Sequence, residues 1–136
     1  MGEGTRVDMR IGAFEMSVDE PVSVGGTGTA PSPVQLSLAA LGSCQAITYR
    51  YWAEELGLRL DAVTVSLEAD FDTGAFFGFA GAAGPVSPSN VHCAVTLEGP
   101  EAEERYQELV TVVDEHCPIL DLFTRPVPVE RAVTTP

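Results

Sequence analysis

Three cysteines are the residues of this sequence best suited to chemistry. Cys44 ends the small and apolar run LSLAALGSC, whereas Cys93 and Cys117 each follow a histidine. An odd number of widely spaced cysteines does not indicate a disulfide framework, and the sequence contains no Cys-x-x-Cys pair. A thiolate is a nucleophile that peroxides oxidise reversibly. The sequence therefore allows redox or nucleophilic use of one or two thiols.

Cys44 lies on a predicted helix from Pro33 to Leu56. Ser32 is a typical N-cap, proline suits the first helical position, and Gly57 suits the position after the last turn. The first two thirds of the helix are apolar or small on almost every side, so we expect most of its faces to be buried.

Cys117 extends the apolar stripe of a second predicted helix that opens at Pro100. The stripe comprises Tyr106, Leu109, Val110 and Val113, and further steps of three or four residues reach Cys117. Two helices that each bring one inward thiol to a shared core would form a dithiol pair. A purely structural role accounts for the same pattern, because unpaired cysteine is among the most buried residue types.

Two His-Cys dipeptides, His92-Cys93 and His116-Cys117, raise the question of a metal site. Adjacent side chains on a strand point to opposite faces, and neither pair has the spacing of a zinc knuckle or ribbon. We therefore expect no metal site and assign Cys93 a packing role. We interpret His116 as a solvated residue at a helix end, although a role as a base near Cys117 stays open.

The remaining segments predict an α+β fold in a single domain, residues 1–136. A hairpin of alternating residues (6–19) precedes a glycine- and proline-rich loop, and strands are predicted over Ala62–Phe71, Val91–Gly99 and the final VPVERAV. The long loop between the middle strands carries Phe76, Phe77 and Phe79, which are suited to line an apolar pocket or to pack beneath the loop. The predicted order is β-β-α-β-β-α-β.

Composition excludes several classes of function. The net charge of −13 disfavours contact with nucleic acid or an anionic membrane surface. All seven basic residues are arginine, so Schiff-base chemistry and a P-loop lysine are ruled out; no phosphate-binding loop is present, and no cofactor is expected. No apolar run approaches the roughly 18 residues that span a bilayer, and the start has no signal-like apolar region. We therefore expect a cytoplasmic protein that does not enter membranes.

Two segments resemble the OsmC/Ohr superfamily. They are DEPVSVGGTGTAPSPVQLSLAALGSCQAIT (19–48) and HCPILDLFTRPVPV (116–129). They share with that superfamily a Gly-Gly loop, an x-Pro-x-x-Leu helix start, a small-residue run that ends in cysteine, and a Cys-Pro near the end of the second long helix. The resemblance covers nearly the whole chain, from Arg6 to Val133.

The resemblance implies an OsmC-like fold, an intertwined homodimer whose sheets wrap around two central helices, and active sites at the subunit interface. Characterised members are thiol-dependent peroxidases, which implies a small organic hydroperoxide as substrate and an external dithiol as reductant. By position, Cys44 matches the peroxidatic cysteine and Cys117 the resolving one.

The resemblance also implies an arginine from the N-terminal hairpin at the thiol site. Burial alone raises the pKa of a thiol, whereas a neighbouring guanidinium can lower a cysteine pKa to roughly 3.5–7.5. Arg10, just before the turn glycine, is the first candidate for this catalytic arginine, and Arg6 is the second.

The sequence departs from the superfamily at one position. Hydroperoxide-reducing members carry a glutamate ten residues before the peroxidatic cysteine, in Asn-Pro-Glu-x-Leu, where this chain has Val34 in SPVQL. Gln35 is neutral and points about 100° further round the helix. The alternative hypothesis is therefore a non-catalytic OsmC-like protein that binds a small apolar ligand in the interface pocket.

Overall fold

The computed structural model describes residues 4–136, which fall into two compact units. The first comprises the described residues up to Gly42 together with Ser66–Ala94, and the second comprises Ser43–Val65 and Val95–Pro136. The boundaries between the units fall within one helix and two strands.

The first unit opens with the predicted β-hairpin. Strands β1 (Val7–Ile11) and β2 (Phe14–Val18) pair antiparallel, with Met9 opposite Met16. The alternation of apolar and polar residues and the glycine after Ile11 are typical of a hairpin joined by a two-residue turn. The predicted hairpin is confirmed.

The long helix α1 (Pro33–Glu55) has the start that the sequence predicts. The hydroxyl of Ser32 accepts a hydrogen bond from the backbone N–H of Gln35 at 3.2 Å, and the amide oxygen of Gln35 accepts one from the N–H of Ser32 at 2.9 Å. This reciprocal pair is a capping box. Gly57, with φ of 68°, follows the last turn in the left-handed conformation that glycine adopts without strain.

Strands β3 (Ala62–Asp70) and β4 (Ser89–Glu98) form the second two-stranded sheet. The segment between them is not wholly a loop, because it contains the short helix α2 (Thr73–Phe77). Asp72 caps this helix by accepting a hydrogen bond from the N–H of Gly74 at 2.8 Å.

Helices α3 (Glu103–His116) and α4 (Pro118–Thr124) complete the second unit. Helix α3 begins three residues after Pro100, the predicted start, because Ala102 still has extended backbone angles and serves as its N-cap. The two helices are separated only by Cys117.

The predicted final strand is wrong. Residues 125–136 have no regular secondary structure, and the side chains of Val129 and Val133 are 85% and 74% exposed. A strand requires a partner edge that supplies hydrogen bonds, and Pro126 and Pro128 have no N–H with which to form a ladder. The α+β class itself is confirmed.

The core of the second unit forms between α1 and α3. Its buried members are Tyr49, Ala53, Leu58, Leu109 and Val113. Leu109 and Val113 are fully buried, as the predicted stripe on this helix requires.

One face of α1 is left exposed, and at Ser43 and Ile47 this differs from the expectation that the first two thirds of the helix would be buried on most faces. Ile47 and Tyr51 are 68% and 56% exposed, and Ser43 and Arg50 lie on the same open side. The reason is that the core cluster covers only the opposite side, which carries Tyr49 and Ala53.

Within residues 4–136, none of the helices combines the length and the apolar character that crossing a membrane requires.

Candidate active site

The second unit brings two thiols together. The Sγ atom of Cys117 lies 3.5 Å from the Sγ atom of Cys44, within hydrogen-bonding distance for sulfur and without a disulfide bond. Cys44 is half-buried, whereas Cys117 is 2% exposed. The two positions predicted to form a dithiol pair are therefore neighbours in space.

Cys117 is held at the junction of α3 and α4. Its backbone N–H donates to the carbonyl of Val113 at 2.9 Å, which closes the last turn of α3. Its own carbonyl accepts a hydrogen bond from the N–H of Asp121 at 3.1 Å, which opens α4. Pro118 cannot continue the first helix but suits the start of the second. The hydrogen bonds on both sides therefore fix the backbone of Cys117.

Thr48 lies one turn after Cys44 and touches its sulfur. The hydroxyl of Thr48 donates to the Cys44 carbonyl at 2.7 Å, and its Oγ1 lies 4.0 Å from the Cys44 Sγ. While the hydroxyl proton is committed to the carbonyl, Thr48 can accept from the thiol but cannot stabilise a thiolate. Stabilisation of a negative charge on this sulfur must come from another group.

Gln45, next to Cys44, carries an unsatisfied donor. The residue is 4% exposed, and its amide nitrogen has no hydrogen-bond partner within residues 4–136. Native proteins leave few buried polar groups unpaired.

His116 is a solvated residue at the end of α3, as expected from the sequence. Its Nδ1 lies 2.7 Å from the carbonyl of Val112, and its ring packs against Trp52 with the centroids 4.5 Å apart. The contact with a carbonyl places the proton of a neutral imidazole on Nδ1 and leaves Nε2 as the acceptor.

The two candidate arginines lie in the first unit and have partners there. Arg10 Nη2 lies 3.1 Å from Glu15 Oε1, and the Arg10 side chain is 75% exposed. Arg6 donates to the hydroxyls of Thr29 at 2.8 Å and Ser17 at 2.9 Å. The assignment of either arginine to the thiol stays a prediction.

Sequence reasoning missed Asp19, which organises the glycine-rich loop. Its carboxylate accepts hydrogen bonds from the hydroxyl of Thr5 at 2.8 Å, from the N–H and hydroxyl of Thr27, and from those of Thr29 at 3.2 Å. The Thr27 contact, with those of Thr5, Thr29 and the Glu20 N–H, holds the pKa of Asp19 well below its usual value of 3.8, outweighing the opposite effect of burial. The signal in the sequence for this role of Asp19 was the pair of threonines at positions 27 and 29.

Gly26 is required in this loop by a close approach of the backbone. A Cβ at Gly26 would lie 1.8 Å from the carbonyl oxygen of Glu20, where no side chain fits. The N–H of Gly26 donates to the carbonyl of Pro21 at 3.0 Å. Only glycine is therefore accommodated at this point of the loop that precedes α1.

A cavity of about 500 Å³ lies in the first unit around Val34, the position of the glutamate in the resembled pattern. Phe71, Phe76 and Phe77 line it, while Phe79 stacks on Phe77 instead, with the centroids 5.6 Å apart. The hypothesis that the phenylalanine-rich segment lines an apolar pocket therefore holds for two of its three rings. Gln35 also borders the cavity, but its amide oxygen is engaged in the capping box.

The packing role assigned to Cys93 is wrong for this chain. Cys93 is exposed on β4: it shares a strand face with Val95 and Leu97, but the core cluster reaches only those two residues of the strand. Among the residues that the structure describes, no group of three or more His, Cys, Asp or Glu side chains converges to hold a metal ion.

Comparison with known proteins gives one family. The family model described as OsmC-like protein matches residues 26–131. A search of curated proteins gives no match.

Solved structures resemble the chain along most of its length. An OsmC-like protein from Mycoplasma pneumoniae superposes with a TM-score of 0.70 and 14% identity, over 89% of this chain and 86% of that one. An OsmC-like hydroperoxide resistance protein from Jannaschia gives 0.62 and 21%, over 90% and 75%. An organic hydroperoxide resistance protein from Elizabethkingia anophelis gives 0.61 and 14%, over 91% and 89%. At these identities the likeness shows the fold, which is OsmC-like.

Proposed function

Because the chain belongs to the OsmC-like protein family, we propose that it is a cysteine-based redox protein that reduces small organic hydroperoxides. Several structures with this fold are those of hydroperoxide resistance proteins, which supports a redox role in the stress response. The observation that carries the proposal is the 3.5 Å separation of the Cys44 and Cys117 sulfurs.

In the first step, the Cys44 thiolate attacks one oxygen of the hydroperoxide ROOH. An S–O bond forms, the O–O bond breaks, and the alkoxide leaves as the alcohol ROH after it takes up a proton. Cys44 becomes a sulfenic acid. Its partial exposure supports this role, because the peroxide must reach the sulfur.

In the second step, the Cys117 thiolate attacks the Cys44 sulfur. The S–S bond forms, the S–O bond breaks, and hydroxide leaves as water. Burial at 2% exposure supports Cys117 as the resolving thiol, since it needs to reach only its neighbour. An external dithiol then reduces the disulfide by two thiol–disulfide exchanges and is itself oxidised to a disulfide. This cycle suits the cytoplasm, where thiols are kept reduced.

The proposal includes a homodimer. The open side of α1 presents Ile47, 68% exposed, and Tyr51, 56% exposed, and exposed apolar patches of this kind mark protein interfaces. A second copy would cover this face. Arg10, or else Arg6, is the proposed source of the positive charge that favours the thiolate.

A second candidate function is the binding of a small apolar molecule without turnover. Val34 and three phenylalanines face a cavity where a carboxylate would otherwise stand, and this observation favours it. The two candidate arginines are engaged elsewhere, Arg10 with Glu15 and Arg6 with Thr29 and Ser17.

A peroxidase assay distinguishes the two candidates. Cumene hydroperoxide consumption is measured with dihydrolipoamide or dithiothreitol as donor, for the wild type, Cys44→Ser and the exposed-thiol control Cys93→Ser. The redox proposal expects turnover in the wild type and in Cys93→Ser, and none in Cys44→Ser. No turnover in the wild type with any donor favours the ligand-binding function.

A further inference from the structure

The cavity around Val34, here called the Val34 pocket, lies wholly in the first unit. Its walls are formed by the loop before α1, the first residues of α1, and the segment around α2. The apolar residues that matter most are Val34, Phe71, Phe76, Phe77 and Val86. At about 500 Å³, its volume is within the range of small-molecule sites.

The aromatic wall is held in place by contacts within its own segment. Asp72 caps the start of α2 through Gly74, and Gly78 ends it in the left-handed conformation with φ of 71°. The rings of Phe76 and Phe77 pack edge to face with their centroids 5.0 Å apart. Flat aromatic molecules suit such a wall because rings stack and pack edge-on, and compact branched apolar molecules suit it because they bury apolar area.

Glu20 is the one charged residue among the described residues that line the Val34 pocket. It is half-buried, and its backbone is fixed by hydrogen bonds from its N–H to Asp19 Oδ1 at 2.8 Å and from Gly28 to its carbonyl at 3.1 Å. No arginine is among these lining residues, so the described wall offers an anion no counter-charge.

We propose that the Val34 pocket binds neutral, compact aromatic or branched apolar molecules and rejects anionic amphiphiles such as fatty acids, with Glu20 setting this charge selectivity. An anion entering the pocket would lose hydration without gaining a partner and would meet a like charge. A neutral ligand meets no like charge in the pocket. If it carries a hydroxyl group, that group can donate a hydrogen bond to the Glu20 carboxylate in place of its hydration. The inference builds on the ligand-binding candidate and does not require the thiol reaction.

Two fluorescent probes with one aromatic skeleton test the proposal. N-phenyl-1-naphthylamine is neutral, and 8-anilinonaphthalene-1-sulfonate carries one negative charge. Titrated into the wild type, the neutral probe is expected to bind with a Kd at least tenfold lower than that of the sulfonate. Equal affinities would overturn the proposal.

Substitution of Glu20 separates local charge from overall charge. Glu20→Gln is expected to reduce the ratio of the two dissociation constants at least threefold, mainly by improving sulfonate binding. Glu68→Gln removes the same charge from an exposed site on β3 in the same unit and should leave the ratio unchanged. An equal effect of both substitutions would assign the selectivity to the net charge of the chain and would overturn the role of Glu20.

The site itself is tested by removing one ring from its wall. Phe77→Ala should weaken the neutral probe at least fivefold, and its 45% exposure makes a folding defect avoidable. Phe14→Ala, in the exposed hairpin, is the matched control and should bind as the wild type does. Unchanged binding in Phe77→Ala, or an equal loss in Phe14→Ala, would refute the site. Repeating the titrations on Cys44→Ser distinguishes this inference from the redox proposal, because binding should persist when peroxide turnover is lost.

Discussion

The sulfur atoms of Cys44 and Cys117 lie 3.5 Å apart, although 73 positions separate the two residues along the chain. The packing of α1 against α3 through Tyr49, Leu109 and Val113 produces this contact, and the junction before α4 fixes the backbone of Cys117. A disulfide bond is about 2.05 Å long, so a small side-chain movement is enough to form one.

Removal of Cys117 and removal of Cys44 are expected to give different oxidation products. Cys117→Ser treated with one equivalent of cumene hydroperoxide should accumulate a sulfenic acid at Cys44, because no resolving thiol is present. Dimedone labelling followed by peptide mass spectrometry measures it. Cys44→Ser should take up no dimedone at Cys117.

The exposed Cys93 is the internal control for this experiment. Labelling of Cys93 in the Cys117→Ser variant, with none at Cys44, would contradict the assignment of the peroxidatic role. The double variant Cys93→Ser/Cys117→Ser should label as fully as Cys117→Ser does.

Leu109 is expected to contribute more to stability than any exposed leucine. Its side chain is fully buried in the core cluster, so Leu109→Ala leaves a cavity and should lower the free energy of unfolding by about 2–5 kcal/mol. Urea denaturation followed by the fluorescence of Trp52 measures it. Leu122→Ala, at a site 50% exposed, should cost well under half as much, and equal costs would show that the described core is not the stabilising one.

Asp19 is expected to make stability depend on pH. Its pKa in the folded chain lies below the usual value of 3.8, so the native state favours the carboxylate. The stabilisation is complete above the unfolded pKa and is lost as the pH falls from about 4 towards the lower pKa of the folded state. Asp19→Asn should therefore lower the melting temperature at pH 7 and flatten its decline between pH 5 and pH 2.

The control for this prediction is Glu68→Gln, which removes an exposed carboxylate from the same unit. Its melting temperature should follow that of the wild type over the whole pH range. If the melting temperature of Asp19→Asn depends on pH as that of the wild type does, Asp19 is not the cause of this dependence.

The open side of α1 gives a prediction about assembly. If this face is buried between two copies, Ile47→Glu places a charge in an apolar interface and should raise the dimer dissociation constant at least about 100-fold. Ile47→Val keeps the surface apolar and is the matched control. Sedimentation velocity at micromolar concentration measures both, and an Ile47→Glu variant that remains as dimeric as the wild type would exclude this face.

Local signals predicted the elements that carry the thiols. Ser32, Pro33 and Gly57 mark the ends of α1 with side-chain and backbone chemistry that acts within a few residues. The stripe on α3 has helical spacing, and that spacing alone assigns Cys117 to the buried side of the helix. The spacing did not give the separation of the thiols, because that depends on how two helices pack.

Features that depend on residues far apart in the chain could not be predicted from the sequence. A final strand was predicted over VPVERAV, but Pro128 has no N–H, and no strand edge within residues 4–136 pairs with the segment. The role of Asp19 depends on a loop that brings Thr27 and Thr29 back to it. The exposure of Ile47 likewise depends on what covers α1.

The most direct test of the account is to map the disulfide formed by one equivalent of cumene hydroperoxide. The wild type is oxidised, alkylated, digested without reduction and analysed by mass spectrometry, together with free-thiol titration. The account predicts the loss of two thiols and a peptide pair that joins Cys44 to Cys117, reversible by dihydrolipoamide. Retention of all thiols, or a bond that involves Cys93 in place of either partner, would contradict it.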